Sequence, residues 1–208
     1  MMTSLNEIIE SSEIVELAPG VIMYKNIFSP ENIIELIESE SKEDWPYLMW
    51  ENSETDNGKI SSYRMSVQME LNPLQAEKIE NIPRMKPAAV LWKKIFKNID
   101  AGVYHYRDKY SLELSTDEGY RVLKYPSGGE YSSHYDYGPE NGRTLSCVGW
   151  LNDDFNGGEL EFDYFGIKVS PSAGSMVLFP SNYLYRHTAH PVEENSFGIK
   201  YAFVTWFR

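Results

Sequence analysis

An α+β fold with a mainly antiparallel β core, sandwich or barrel, and helices packed outside it is what this 208-residue sequence predicts. Three observations carry that expectation. From Leu112 onward, short β-prone runs recur between Gly, Asn, Asp and Pro turns. Before that point, two stretches repeat apolar residues at helical spacing. The composition, 42% hydrophobic and 14% aromatic with no internal repeat, suits one domain around one core. The whole of 1–208 is therefore read as one domain, with 1–110 giving helical and strand support and 111–208 the β core that carries the site.

Along the chain, Val15–Lys25 reads as a strand. Ser29-Pro30-Glu31 then supplies a helix start: a capping hydroxyl, a proline suited to the first helical position, and an acid at the positive end of the dipole. That helix should run to about Ser41 with Ile33, Ile34 and Ile37 on its apolar side. Residues 51–62, polar and carrying an Asn-Gly turn, read as an exposed loop. A second helix is predicted from Lys86 to about Tyr106, with Leu91, Trp92, Ile95, Phe96 and Ile99 packing on a sheet. The β segments are Tyr120–Tyr125, Thr144–Leu151, Glu159–Tyr164, Ile167–Ser170, Ser175–Phe179, Tyr185–His190 and Lys200–Phe207.

The formal charge of −12 disfavours a phosphate backbone as partner, so no nucleic-acid binding is expected. Cys147 is the single cysteine, which excludes an intramolecular disulfide and a cysteine-rich zinc site and fits a reducing compartment. The N-terminal stretch is acidic early and lacks the apolar run of a secretory signal. No run of about 18 apolar residues occurs, so no membrane span is expected. The expected location is cytoplasmic.

The chemistry concentrates in Tyr125-Pro-Ser-Gly-Gly-Glu-Tyr-Ser-Ser-His134-Tyr-Asp136. On an extended strand, residues two apart point the same way, so His134 and Asp136 can present an imidazole and a carboxylate to one point. A bare His-x-Asp is weak evidence without a third ligand from a distant strand. His187 and His190 both offer one; being an odd number apart on a strand they face opposite sides, so one of them reaches the metal. Two histidines and one carboxylate leave open positions for dioxygen and a bidentate co-substrate, as in non-haem Fe(II) oxygenases. Zinc accepts the same ligands, yet the nearby general base of zinc hydrolases does not stand out. Lys200, inside a core strand, is costly unless an anion pairs with it.

Several motifs in one order then carry a resemblance. They are Tyr125 with Gly129, His134-x-Asp136, Arg143-Thr-Leu-Ser-Cys-Val-Gly-Trp-Leu-Asn152, Gly157-Gly158-Glu159, Gly174-Ser-Met-Val-Leu-Phe-Pro180, His187-x-x-x-Pro191-Val192 and Gly198-x-Lys200-Tyr201. From about Arg121 to Phe207 the chain resembles the prolyl 4-hydroxylase-like branch of the 2-oxoglutarate/Fe(II) oxygenases. The resemblance implies a double-stranded β-helix, or jelly-roll, around the metal. It prefers His187 over His190 as the ligand, since the family's histidine lies four residues before the proline of Pro-Val. It assigns Lys200 to the distal carboxylate of 2-oxoglutarate and places Tyr125 as a hydrogen-bonding pocket residue. Trp150 stands where related hydroxylases have a tyrosine that helps hold 2-oxoglutarate; an indole can donate but not accept. Glu193–Phe197 reads as an inserted turn before Lys200.

The cofactors so implied are Fe(II), 2-oxoglutarate and O2, with ascorbate as an accessory reductant. The presence of Asp136 favours hydroxylation, because related halogenases lack this carboxylate. The implied substrate is a prolyl residue in a peptide or protein, with Ser53–Tyr63 as a flexible lid. A free amino acid or other small metabolite is the alternative substrate. A jelly-roll binding module without turnover is the alternative of another class, and the complete triad with Lys200 argues against it. Arg143, at a strand start, is offered both as a substrate contact and as a surface charge. His105 is read as stabilising its helix, and Gly157-Gly158 as a turn.

Overall fold

The structure is a computed structural model that describes residues 4–30, 33–40, 51–52, 64–71, 86–194 and 198–208. A short helix, α1 (Leu5–Glu10), opens it under a capping box: Ser4 Oγ accepts from Glu7 N–H while the Glu7 carboxylate accepts from Ser4 N–H. Strands β1 (Glu13–Ala18) and β2 (Val21–Lys25) follow as a hairpin. The single strand expected over Val15–Lys25 is thus corrected to two. Pro19-Gly20 breaks it, with Gly20 at φ +77°, a left-handed conformation glycine adopts without steric cost.

Next come α2 (Ile33–Glu40), β3 (Glu51–Asn52), β4 (Val67–Leu71) and the long helix α3 (Lys86–Tyr110). The expected helix start at Glu31 and end at Ser41 lie outside the described residues, as do the proposed lid 53–63 and the side chains of Ile37, Leu91 and Trp92. Of the predicted helix face, Ile95, Phe96 and Ile99 are buried against the sheet. Gly102 brings α3 close: a Cβ there would run into Met176 Cε.

The β core runs through β5 (Tyr120–Tyr125), β6 (Tyr131–His134), β7 (Leu145–Trp150), β8 (Leu160–Phe162), β9 (Ile167–Val169), β10 (Met176–Pro180), β11 (His187–Ala189) and β12 (Lys200–Phe207). Strands β5 and β12 have the predicted bounds. The segment predicted over Tyr185–His190 is shorter, because Tyr183–Tyr185 forms a 3-10 turn capped by Asn182 Oδ1 accepting from Leu184 N–H. Two antiparallel sheets result, ordered β1-β2-β10-β7-β12-β5-β4-β3 and β6-β11-β8-β9. They form the expected jelly-roll.

Period-two alternation sorts the large sheet into two faces. On β12, Tyr201, Phe203 and Phe207 join the core beneath the helices. Lys200, Ala202, Val204 and Trp206 point the other way, toward the small sheet, and line a pocket there. All eight residues of β12 are buried. Strand β7 divides likewise, with Leu145 and Cys147 toward the helices and Val148 and Trp150 toward the pocket. Strands β1 to β4, from the first part of the chain, complete the sheet whose centre the later strands supply. No described helix is long and apolar enough to cross a membrane.

Candidate metal centre and anion pocket

Between the sheets, one end of the pocket gathers three metal-ligating side chains. Strands β6 and β11 pair antiparallel with His187 opposite His134, and Asp136 follows two residues beyond His134. A cross-strand pair and an alternate residue thereby bring together the two histidines and the carboxylate. Their ligand atoms lie within 4.8 Å of one another, and among the described residues they form the one group suited to a metal ion.

The hydrogen bonds behind these groups set their chemistry. His134 Nδ1 lies 2.8 Å from the Ser132 carbonyl, and His187 Nδ1 lies 2.9 Å from the Tyr185 carbonyl. A carbonyl only accepts, so each Nδ1 carries the proton and each Nε2 keeps a lone pair. These lone pairs face the Asp136 carboxylate at 3.7 Å (Nε2 of His134 to Oδ1) and 3.8 Å (Nε2 of His187 to Oδ2). Both separations exceed a hydrogen bond, and no hydrogen stands between the facing acceptors. Three acceptors aimed at one point repel each other unless a cation occupies it. The donor set therefore fits a divalent metal.

Burial, reinforced by His187, pushes His134 down to about 3, so its imidazole is neutral and available as a ligand. Burial alone would raise the Asp136 carboxyl. His187, His134 and hydrogen bonds from Ser146 and Trp206 together bring it below its ordinary value. The Tyr131 ring stacks on His134 with centroids 3.7 Å apart, and the Arg64 guanidinium lies 4.7 Å over Tyr131.

The far wall supplies a cation. Lys200 is 3% exposed, donates from Nζ to the Gly158 carbonyl at 2.7 Å, and sits 4.7 Å over the Tyr125 ring. Burial pushes its ammonium down to about 7, and Glu159 offsets this only in part. An ammonium has three donors, and Gly158 takes one. Trp150, fully buried on the same wall, has an indole N–H with no acceptor among the described residues. A buried cation and an unmatched N–H on one pocket wall suit a carboxylate. Tyr125 also lines the pocket, with its hydroxyl hydrogen-bonded to Ser66. Gly158 takes φ +69°, and a Cβ there would stand 3.0 Å from Lys200 Cδ.

Residues 120–208 match the model of the 2OG-Fe(II) oxygenase superfamily. This part of the chain is similar to that superfamily. Among similar proteins, prolyl 4-hydroxylase subunit alpha-1 of Gallus gallus is 32% identical over 104 residues, which cover 41% of this chain and 20% of that protein. A probable prolyl 4-hydroxylase 9 of Arabidopsis thaliana is 30% identical over 123 residues, covering 47% and 43% respectively. The chain thus spans less than half the length of these curated relatives.

Solved structures share the oxygenase fold. A viral collagen prolyl hydroxylase of Paramecium bursaria Chlorella virus-1, in complex with 2OG, aligns at TM-score 0.63 and 19% identity over 91% of this chain and 96% of that one. A Trichoplax adhaerens prolyl hydroxylase bound to a hypoxia-inducible-factor peptide fragment aligns at TM-score 0.69 and 16% identity, over 90% and 83%. A Pseudomonas putida prolyl-4-hydroxylase gives 0.62 and 20%, over 91% and 92%. The branch anticipated from the motifs is the one these relatives represent.

Of the residues singled out in the sequence, His134, Asp136, His187, Lys200, Tyr125 and Trp150 all line one pocket. His190, just beyond β11, does not join them; its Nε2 meets Glu161 Oε2 at 2.5 Å. Arg143 is no surface charge. It is 8% exposed, forks Glu118 through Nε and Nη2 at 3.1 and 2.8 Å, and packs 3.8 Å over the Trp206 ring. His105 bonds Tyr24 through Nδ1 at 2.9 Å, in keeping with a structural role.

Sequence reasoning missed Arg64, Tyr131, Ser146 and Trp206. Trp206 was within reach, since an even step from Lys200 along one strand puts both on the same face. Arg64 carries no local signal: it arrives through a bridge to Tyr131 from a distant segment.

Proposed function

We propose that the chain is a dioxygenase that hydroxylates a prolyl residue in a peptide or protein, using Fe(II), 2-oxoglutarate and O2. The observation that carries this reading is a single pocket joining a two-histidine, one-carboxylate centre to a buried, anion-seeking lysine. Metal and co-substrate together supply oxidative decarboxylation, giving succinate and CO2, coupled to hydroxylation of a C–H bond. His134, Asp136 and His187 would hold the iron. Lys200 and the Trp150 N–H would hold the distal carboxylate, and so orient the co-substrate along the pocket. Leu123, Val148, Leu160 and Val204 give the pocket apolar walls that exclude water.

A prolyl substrate is supported by the names of the relatives and by the peptide bound in the Trichoplax structure. Arg143, offered as a substrate contact, has all three guanidinium nitrogens engaged, Nε and Nη2 by Glu118 and Nη1 by the Asp136 carbonyl at 3.4 Å, so it would act on substrate only through the Asp136 segment. The test is succinate release from 2-oxoglutarate by anaerobically iron-loaded protein with ascorbate, with and without proline-containing peptides. The expected result is peptide-dependent succinate formation, with the peptide gaining one oxygen at proline. Stimulation by a free amino acid but by no peptide would move the substrate to the small-molecule class. Failure to bind iron or 2-oxoglutarate would remove the enzyme reading altogether.

A further inference from the structure

Two buried serines stand behind the carboxylate ligand. Ser146, on β7, is 0% exposed, and its Oγ lies 2.7 Å from Asp136 Oδ2. Ser181, just beyond β10 and 1% exposed, places its own Oγ 2.8 Å from Ser146 Oγ. The directions of these bonds follow from the carboxylate. An ionised carboxylate accepts only, so Ser146 must donate to Asp136. Its single proton is then used, and Ser181 must donate to Ser146. The order is fixed: Ser181 to Ser146 to Asp136.

The backbone holds both ends of this chain. Ser181 N–H donates to the Thr144 carbonyl at 3.1 Å, and the Ser181 carbonyl accepts from Tyr137 N–H at 2.8 Å, one residue after Asp136. Ser146 is also the cross-strand partner of Trp206, the other side chain that hydrogen-bonds the Asp136 carboxylate. Neighbouring residues on paired strands therefore aim two donors at one carboxylate. Asn141 Nδ2 fixes the Asp136 carbonyl from the loop side at 3.1 Å.

We propose that Ser181 and Ser146 form a one-way donor relay that fixes the orientation of the Asp136 carboxylate and so presents it ready-made to a metal ion. This inference rests on the metal-centre reading above. The Ser146 bond draws on Oδ2, and with the Trp206 donor it fixes the plane of the carboxylate, while Oδ1 faces His134 Nε2 at 3.7 Å and Oδ2 faces His187 Nε2 at 3.8 Å. A carboxylate free to turn would have to give up that freedom when a metal ion binds, which would weaken binding. Ser146 and Ser181 are positioning residues: they act through Asp136 and touch no reacting atom. Groups behind a metal ligand commonly change metal affinity by roughly 10- to 100-fold when removed.

The experiment is an anaerobic Co2+ titration of the full chain, read by the cobalt visible spectrum and by quenching of tryptophan fluorescence, for the native protein, Ser146→Ala, Ser146→Thr and Ser181→Ala. Thermal unfolding of each metal-free protein checks that it folds. The expected result is a 10- to 100-fold weaker Kd for Ser146→Ala with an altered cobalt spectrum, a smaller loss for Ser181→Ala, and recovery of the native spectrum by Ser146→Thr, which keeps the hydroxyl. Native affinity and an unchanged spectrum in folded Ser146→Ala would overturn the proposal. A loss in Ser146→Ala with none in Ser181→Ala would overturn the relay. If the native protein takes up no Co2+, the metal-centre reading falls, and this inference with it; binding by the native chain with no serine effect sinks the relay alone.

Discussion

The two ends of the pocket are built on opposite plans. At the metal end, the protein satisfies every group from behind: main-chain carbonyls orient both imidazoles, and Ser146 and Trp206 steady the carboxylate. At the anion end, Lys200 is buried with one carbonyl acceptor, and the Trp150 N–H has none among the described residues. The first end is complete except for a cation. The second holds a charge at an energetic cost that an incoming carboxylate would relieve. Preorganisation and unmet demand thus sit in one cavity, and they should respond differently to mutation and to pH.

The sharpest break of this contrast is at the ligands. Asp136→Ala or His187→Ala should abolish Fe(II) binding and succinate formation, whereas His190→Ala should retain both, measured by metal titration beside turnover. Loss of metal in His190→Ala alone would reverse the assignment of the third ligand. The next effect belongs to Lys200→Met, which should weaken 2-oxoglutarate binding by roughly 10- to 100-fold, the worth of a charge-assisted hydrogen bond. Calorimetry would read that loss. The same variant should lose no resistance to denaturant at neutral pH, because the change removes a buried charge rather than a satisfied contact. A large drop in stability would show that the lysine is not in deficit.

The smallest effect is a pH dependence whose sign follows from burial. The Lys200 ammonium is pushed down to about 7 in the folded chain, below the unfolded value of roughly 10.4. Between those values the unfolded chain binds more protons, so the contribution of Lys200 to stability rises with pH across that window and is flat below it. Ligand binding runs the other way. A dicarboxylate needs the charged form, so 2-oxoglutarate affinity should decline as pH rises above about 7. Lys200→Arg, which stays charged, should flatten the profile. A native profile as flat as that of the arginine variant would erase the predicted asymmetry between the two ends.

The sequence revealed most where periodicity and chemistry coincide. Strand β12 was legible because its residues are β-prone and bounded by Gly198 and the strand end, and its lysine was conspicuous because it is costly in a core. The spacing of His134 and Asp136 offered a pair of ligands that stayed weak without a third, and the choice of His187 over His190 came from the resemblance. In the structure His187 lines the pocket, whereas His190, just beyond β11, meets Glu161. The hairpin at Pro19-Gly20 was passed over although the dipeptide is a turn signal, because the flanking residues are all strand-compatible. Ser146 could not have been found by pattern. A serine in a strand says nothing until the fold sets it against a carboxylate.

The carbonyls of Ser132 and Tyr185 carry a consequence for drift. Every residue has a carbonyl, so the identities of these two side chains are irrelevant to the tautomers of His134 and His187. Substitutions at either position can accumulate without cost to the nitrogen that faces the ion, as long as the strands stay paired. The centre is exposed to mutation through its own ligands and through the serines behind Asp136, and is sheltered where it leans on the peptide backbone.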